Sequence, residues 1–227
     1  MSSAPETRSA NLDDHLEMTQ NADAETLKFP RRTIRRKETR ARIVAAASRL
    51  FRSVGYTEAT MAAIAEAADV HVTTLFTHFK SKAELAATLG EAAIVELGEL
   101  IADAQGKLPF FVFFRGVVVG AAQTYQDDSG PNIAFGHELR QEPELAYGWL
   151  IYQQRQIEML AKYIAADYGL DVATDTRAML VASLLVAGNT LTHDRWLKSD
   201  GRLNLVEETL RSIDDTQTMS ESVLRPR

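Results

Sequence analysis

The 227-residue chain has a mass of 25.1 kDa, a formal net charge of −6, 45% hydrophobic residues and no cysteine. This composition can form a sizeable core and excludes disulfide frameworks and thiolate metal sites. The start of the chain is polar, unlike a secretory signal, and its longest apolar run, residues 178–188, is too short to span a bilayer. We therefore expect a cytoplasmic protein without a membrane partner.

The charges are distributed unevenly along the chain. Residues 1–30 contain 2 basic and 6 acidic side chains, residues 31–88 contain 11 and 5, and residues 89–227 contain 12 and 20. A basic segment between two acidic ones is typical of a nucleic-acid-binding module. Because residues 1–30 contain few apolar side chains, we predict that they form a disordered acidic tail.

The first helix is predicted over residues 36–54, where apolar residues recur at spacings of three and four and Gly55 follows. A basic run from Arg31 to Lys37 leads into it. Such a run is either a solvated segment or an arm that touches phosphates or the minor groove. Its position before the pattern described next favours the arm.

Three further helices are predicted before residue 105. Thr60 is a suitable N-cap for a short second helix, and a tight turn at residues 69–70 separates it from a third helix over residues 72–79. Ser81 and Glu84 have the spacing of a capping box that opens a long fourth helix.

The rest of the chain is also predicted to be helical, with no strand pattern. Breaks rich in Gly, Pro and Asp delimit helices near 109–126, 132–141, 143–167, 174–197 and 203–214. The last residues, 215–227, are predicted to be a flexible tail. The expected fold class is all-α.

Residues 64–79 have the pattern of a helix-turn-helix. Two helices that cross after a turn of about three residues need small side chains at the crossing and apolar side chains on either side. Ala65 and Ala68 supply the small side chains, and Ile64, Val70 and Leu75 supply the apolar ones. The second helix of the pair then presents a face to the major groove.

Residues 39–89 resemble the N-terminal domain of the TetR/AcrR transcriptional repressors. The matching residues are Ile43 to Ala47, Leu50, Phe51, Gly55, Tyr56, Thr60, Ile64, Ala65, Ala68, Val70, Thr74, Leu75, His78, Phe79, Ser81, Lys82, Glu84 and Leu85. The resemblance implies a three-helix DNA-binding domain over residues 31–88. It also implies a C-terminal helical bundle over residues 89–214 for ligand binding and dimerisation.

The resemblance further implies that the third helix reads base edges, with Val72, Thr73 and Thr77 nearest to them. Thr60, His78 and Lys82 would lie at or near phosphates, although His78 is equally well explained as a packed residue between helices. The predicted DNA-binding set is Arg36, Thr60, His71, Val72, Thr73, Thr74, Phe76, Thr77, His78 and Lys82.

Four positions depart from the usual family pattern. Asp69 and Thr73 stand where relatives usually have Gly, His71 where they have Ser, and Phe76 where they have Tyr. Phe76 lacks the hydroxyl group that would bond to a phosphate. These changes affect the expected sequence preference rather than DNA binding itself.

The helices after the fourth are predicted to enclose an apolar cavity for a small aromatic or acyl molecule, with a few polar groups to orient it. The phenylalanines near residue 110 are alternatively core residues, and Arg115 is alternatively a surface residue. The predicted effector-binding set is Phe110, Phe114, Arg115, Phe135, His137, Trp149, Tyr152 and Asn189.

The last two long helices contain more apolar residues than one thin bundle can bury, so we predict a homodimer through Leu184, Leu191, Val206 and Leu210. The histidines lack metal-ligand spacing, and no nucleophile motif or phosphate loop occurs, so we expect neither a metal, a cofactor nor an enzyme. The predicted function is a repressor that binds a pseudo-palindromic operator as a dimer and is released by an effector through the fourth helix. The alternative is a constitutive helical DNA-binding protein or adaptor without an effector.

Overall fold

The computed structural model describes residues 30–224, so the predicted acidic tail over residues 1–30 lies outside the described residues except for Pro30. Within this range the chain forms nine helices and no strand, which confirms the all-α prediction. The helices are α1 (Pro30–Val54), α2 (Met61–Ala67), α3 (Val72–His78), α4 (Lys82–Ala104), α5 (Phe110–Asp127), α6 (Ser129–Gln141), α7 (Pro143–Tyr168), α8 (Arg177–Lys198) and α9 (Leu205–Leu224).

Two predictions about the ends of helices are wrong. Helix α1 begins at Pro30 rather than near Arg36, so the basic run is part of a helix and not a separate arm. Helix α9 continues to Leu224, so the tail predicted from residue 215 is helical as far as the structure describes it. Thr216, Ser220 and Leu224 are buried at four-residue spacing. Small hydroxyl side chains extend the buried stripe there, which an apolar pattern does not detect.

The first hydrophobic core lies among the four helices α1, α2, α3 and α4. Ile43, Phe51, Ile64 and Leu75 are at most 1% exposed in it. Leu145, at the start of α7, is buried in the same core although it is distant in sequence. The first core is therefore completed by a residue from the C-terminal part of the chain.

The second core lies among α4, α5, α7, α8 and α9 and is built around aromatic residues. Phe110 contacts Phe111, Phe114 and Tyr163 with ring centroids 5.3 to 5.8 Å apart. Helix α4 contributes Leu97 and Ile101 to this core. Because Leu85 of the same helix lies in the first core, α4 runs without a break across the predicted boundary between residues 88 and 89.

Helices α8 and α9 pack closely against each other at Gly188. A Cβ atom at this position would lie 2.5 Å from Ser212 Oγ, so a larger residue would require the Ser212 side chain to move. Among residues 30–224, no helix is both long enough and apolar enough to cross a membrane.

Candidate nucleic-acid interface and effector region

The α2–turn–α3 unit is held by local hydrogen bonds. Thr60 caps α2, as predicted, and its hydroxyl oxygen accepts from the Ala63 amide at 3.1 Å. At the turn, Asp69 has a φ of 53°, and the Val70 amide donates to the Ala65 carbonyl at 3.0 Å. A left-handed aspartate costs more backbone energy than the glycine usual in relatives. The turn is nevertheless formed.

Helix α3 turns one face to the core and the other to solvent. Leu75 is fully buried, whereas Val72 is 41% exposed and Phe76 is 50% exposed. Thr73 and Thr77 are exposed beside them, and His71 is an exposed N-cap without a side-chain capping bond. Five of the predicted DNA-binding residues therefore share one accessible surface, and Thr74 lies half-buried at its margin.

Basic side chains of α1 flank this surface. Arg36 is exposed, and the Arg40 guanidinium lies 4.7 Å from the centroid of the Phe79 ring. His78 is half-buried, and its pKa is lowered by burial and, to a lesser degree, by Arg36 and Arg40. The imidazole is therefore mainly uncharged at neutral pH, so it contributes a neutral group beside two cations.

Lys82 has a structural partner that the sequence did not reveal. Its ammonium donates to the backbone carbonyls of Tyr56 at 2.6 Å and Thr57 at 3.0 Å, and it lies 4.4 Å from the Tyr56 ring centroid. A lysine ammonium has three N–H donors, so one is left for a phosphate. Ser81 caps α4 as predicted, accepting from Glu84 N at 3.1 Å, but Glu84 accepts from the Lys80 amide instead of completing the box.

The loop after α1 is also bound by Glu138 of helix α6. The two carboxylate oxygens accept from the Tyr56 amide at 2.5 Å and the Thr57 amide at 3.2 Å. Gly55, with a φ of +91°, leaves the space, since a Cβ atom there would lie 2.8 Å from the carboxylate. We call these two bonds the Glu138 clasp. No local sequence signal indicated it, because the partners are 81 and 82 positions apart.

Tyr56 extends the same contact toward α7. Its hydroxyl donates to Glu144 at 3.4 Å. Burial, followed by the charge of Glu144, raises the Tyr56 pKa to about 12. The phenol therefore stays protonated as a donor throughout the physiological range.

Helix α6 contacts both the first core and helix α8. Phe135 and Leu139 pack against the first core, so Phe135 does not line the predicted effector cavity. Arg140 forms an ion pair with Asp194 of α8. The DNA-binding segment and the α8 region are therefore connected through one short helix.

The predicted effector-binding residues do not form one cluster. Phe110 and Phe114 are buried in the second core, Arg115 forms an ion pair with Asp214, and His137 is exposed. Asn189 lies between α8 and α9, beside Leu185, Thr209, Ser212 and Ile213. The way in which the helices pack keeps these residues apart, and the sequence alone does not reveal that packing.

Apart from Phe110 and Phe114, which stack inside the second core, Trp149 and Tyr152 are the members of the predicted set whose rings contact each other. Their rings stack at 5.2 Å, and the Tyr152 hydroxyl accepts from Gln156 at 2.9 Å. Burial, followed by the charge of Tyr125, raises the Tyr152 pKa. Tyr125 in turn makes an edge contact with His193 at 5.3 Å.

We give the name aromatic cluster to Tyr125, Trp149, Tyr152, Gln156 and His193. Its contacts are the Trp149–Tyr152 stack, the Gln156–Tyr152 hydrogen bond and the Tyr125–His193 edge contact. Tyr125 and Trp149 are each 37% exposed, yet burial raises the Tyr125 pKa. Tyr125 therefore combines a water-accessible part with close contacts to the protein. Tyr125, Gln156 and His193 are not among the predicted effector-binding residues, because they lie on three different helices and their proximity is not visible in the sequence.

The predicted dimer residues lie at different depths. Leu184 and Leu191 are exposed on α8, on the same face as exposed Leu180. Val206 and Leu210 of α9 are half-buried. Helix α8 therefore presents an apolar stripe to solvent. Within the described residues, no group of three or more His, Asp or Glu side chains is placed to hold a metal ion.

A helix-turn-helix with an accessible second helix, flanked by arginines and attached to a larger helical bundle, defines a DNA-binding transcription regulator. Residues 43–89 match the family model described as bacterial regulatory proteins, tetR family. The chain is therefore similar to the TetR family of transcriptional regulators, which confirms the resemblance seen in the sequence.

Similar proteins extend the match beyond the DNA-binding segment. The HTH-type transcriptional regulator TcmR of Streptomyces glaucescens is 28% identical over 187 residues, covering 79% of this chain and 83% of that protein. A TetR-family regulator of Mesorhizobium loti shares the fold with a TM-score of 0.60 at 16% identity, over 82% of this chain and 98% of that one. Thermus thermophilus FadR does so with a TM-score of 0.57 at 21% identity, over 83% and 96%.

Proposed function

We propose that the protein is an effector-responsive repressor, acting in the cytoplasm, that binds a pseudo-palindromic operator as a homodimer. The observation that carries this proposal is the Glu138 clasp. It ties the loop before the helix-turn-helix to the helical bundle, so a change in the bundle can reach the DNA-binding surface. The Thermus thermophilus relative is a repressor in complex with lauroyl-CoA, which supports both the repressor role and an organic effector.

The DNA-binding residues are assigned from their exposure and charge. The exposed face of α3 enters the major groove, with Val72, Thr73, Phe76 and Thr77 against the bases. Arg36 and the remaining donor of Lys82 neutralise phosphates. Thr60, His71, Thr74 and His78 support this surface from its edges.

The homodimer is proposed through α8 and α9. Leu180, Leu184 and Leu191 form an exposed apolar stripe, and Met219 of α9 is exposed as well. Burial of such a stripe against a second copy is favourable by about 25 cal/mol per Å² of apolar surface. Two-fold symmetry also places two α3 helices on the same face of a DNA duplex, about 34–36 Å apart.

The effector site is proposed at the aromatic cluster. Trp149, Tyr125 and Tyr152 offer flat apolar surfaces, and Gln156 and His193 offer polar groups that can orient a small molecule. Burial lowers the His193 pKa, so the ring is neutral at pH 7. With one ring nitrogen bonded to the Asn189 carbonyl at 2.9 Å, the ring is held in place against Tyr125.

The signal is proposed to travel through α6 in addition to α4. His193 is adjacent to Asp194, which pairs with Arg140, and Arg140 lies two residues from Glu138. A ligand that moves α8 at the aromatic cluster therefore shifts α6 and the Tyr56–Thr57 loop. DNA and effector then weaken each other's binding by the same factor, typically about 5–150-fold.

The test begins with selection of duplexes from a random library by the full chain, followed by affinity measurements at several salt concentrations. We expect enrichment of an inverted repeat and a log K that falls linearly with log salt, by about 0.9 for each phosphate neutralised. A thermal-shift screen with small aromatic and acyl compounds then supplies ligands for an operator-release assay.

The variant Trp149→Ala serves as the control for the effector site. It should abolish the thermal shift while leaving operator affinity unchanged. Equal affinity for all duplexes would refute operator binding. Operator affinity that is insensitive to every stabilising compound would instead support the constitutive alternative.

A further inference from the structure

We infer that this protein recognises its operator mainly through the C5-methyl groups of thymine, so that each half-site carries thymines opposite α3. The inference rests on the proposed function, since it requires that α3 enters the major groove. It names the chemistry by which that surface distinguishes one base pair from another.

The first observation is the composition of the accessible face of α3. The helix reads Val-Thr-Thr-Leu-Phe-Thr-His from residue 72 to residue 78, without Arg, Lys, Asn, Gln, Asp or Glu. The outermost side chains, Val72 and Phe76, are 41% and 50% exposed and lie one turn apart. This face is therefore apolar at its centre.

The second observation is the hydrogen bonding of Thr77. Its hydroxyl donates to the Thr74 carbonyl at 2.6 Å, which uses the proton that could otherwise be donated to a base. Thr77 consequently presents a methyl group and an acceptor oxygen. The hydroxyl is unsuited to guanine, whose major-groove edge offers only acceptors.

Base chemistry then selects thymine. Guanine is read by Arg or Lys, adenine by Asn or Gln, and cytosine by Asp or Glu, none of which α3 contains. Thymine differs from the other bases by a methyl group that is read by apolar contact with Thr methyl groups or Phe. Val72, Phe76 and the Thr77 methyl group match that requirement.

The basic groups nearby supply affinity without altering this preference. Arg36 and Lys80 are exposed, and Arg40 is held over the Phe79 ring, outside α3. Contacts to phosphates fix the orientation of the protein but carry no base information directly. Apart from the hydroxyl of Thr73, the groups of α3 that can read bases are therefore methyl and aromatic groups.

The experiment replaces single thymines by deoxyuridine in the duplex obtained from selection with the full chain. This change removes one methyl group and keeps all base-pair hydrogen bonds. At the thymines opposite α3 we expect a loss of about 3- to 5-fold in affinity per methyl group, as for one buried carbon. Replacement at thymines outside the half-sites is the control and should have no effect.

The variants Phe76→Ala and Val72→Ala connect the loss to particular side chains. Both residues are exposed, so the variants should keep the wild-type melting temperature. In each variant, replacement of thymine by deoxyuridine should no longer reduce affinity at the one position that the altered side chain contacts. At the other positions the replacement should still reduce affinity.

Two results would overturn the inference, and they are distinguishable. Specific binding that is unchanged by deoxyuridine at every position refutes methyl recognition but leaves operator binding intact. Absence of any selected duplex refutes operator binding and the inference together.

Discussion

The helix-turn-helix segment and the aromatic cluster place their functional side chains in different ways. The residues of α2 and α3 that face solvent come from one short stretch, and local bonds such as the Thr60 cap set their directions. The aromatic cluster takes residues from α5, α7 and α8, and only the packing of those helices brings them together. The directions of the side chains are therefore set within the motif in the first region, whereas in the second region they depend on the packing of three helices.

The first test of this comparison concerns Leu145, the residue of α7 that is buried in the first core. Leu145→Ala should lower the free energy of unfolding by about 2–5 kcal/mol, because it leaves a cavity between the helix-turn-helix and the bundle. Leu150→Ala, on the same helix but 62% exposed, is the matched control and should change it by less than about 0.5 kcal/mol. Urea unfolding of both variants gives these values. Similar effects for the two variants would mean that the helix-turn-helix does not depend on α7.

The second test removes the charge of the Glu138 clasp. Glu138→Gln retains the size of the side chain but weakens both bonds to the Tyr56 and Thr57 amides, so we expect a loss of about 1–3 kcal/mol in the free energy of unfolding. Glu99→Gln, at an exposed position of α4, is the control. Amide hydrogen exchange should be faster at Tyr56 and Thr57 in the first variant only. Unchanged exchange at these amides would show that the clasp is absent in solution.

The third test uses pH and addresses both regions. The pKa values of His78 and His193 are lowered from 6.5, mainly by burial, so below pH 6.5 the unfolded chain binds more protons than the folded one. The stability that these neutral histidines provide is present above pH 6.5 and is lost as the pH falls toward their folded-state values. Unfolding by urea at pH 7.5 and at pH 5.5 measures the decrease. His193→Gln should make it smaller, and an equal decrease in that variant would show that His193 does not contribute.

The smallest expected effect concerns Asp69, which is negatively charged and exposed at the helix-turn-helix. Asp69→Asn tolerates the left-handed turn and removes a repulsion from phosphate, so operator affinity should rise by about 2- to 5-fold at low salt. Asp200→Asn is the control, because Asp200 also has a positive φ, 51°, but lies between α8 and α9. If both variants bind the operator with the same affinity, the proposal that Asp69 lies near the DNA is wrong.

The helix-turn-helix could be predicted from the sequence almost residue by residue. The Thr60 cap, the Gly55 helix end and the buried side chains Ile64 and Leu75 follow from spacing and from turn chemistry within a few residues. The interactions of Lys82 and Glu138 could not be predicted in this way. Their partners depend on how α1, α4 and α6 pack. In the sequence, such a Lys or Glu cannot be distinguished from an ordinary exposed side chain.

The residues of the proposed effector site are even harder to predict from the sequence, because they are brought together only by helix packing. An aromatic run such as Phe110 to Phe114 indicates burial, but not whether the buried side faces a core or a ligand. Tyr125 and His193 lie on separate helices, and each appears in the sequence as an isolated polar aromatic residue. The buried threonine and serine of α9 likewise resemble a polar tail in sequence, although they face the core.

The central claim is that the bundle controls DNA binding through the Glu138 clasp. The most direct measurement compares operator affinity in the wild type and in Glu138→Gln, each with and without an aromatic compound that raises the melting temperature. The account predicts that the compound weakens operator binding by about 5–150-fold in the wild type and by clearly less in the variant. Equal weakening in both proteins would contradict it.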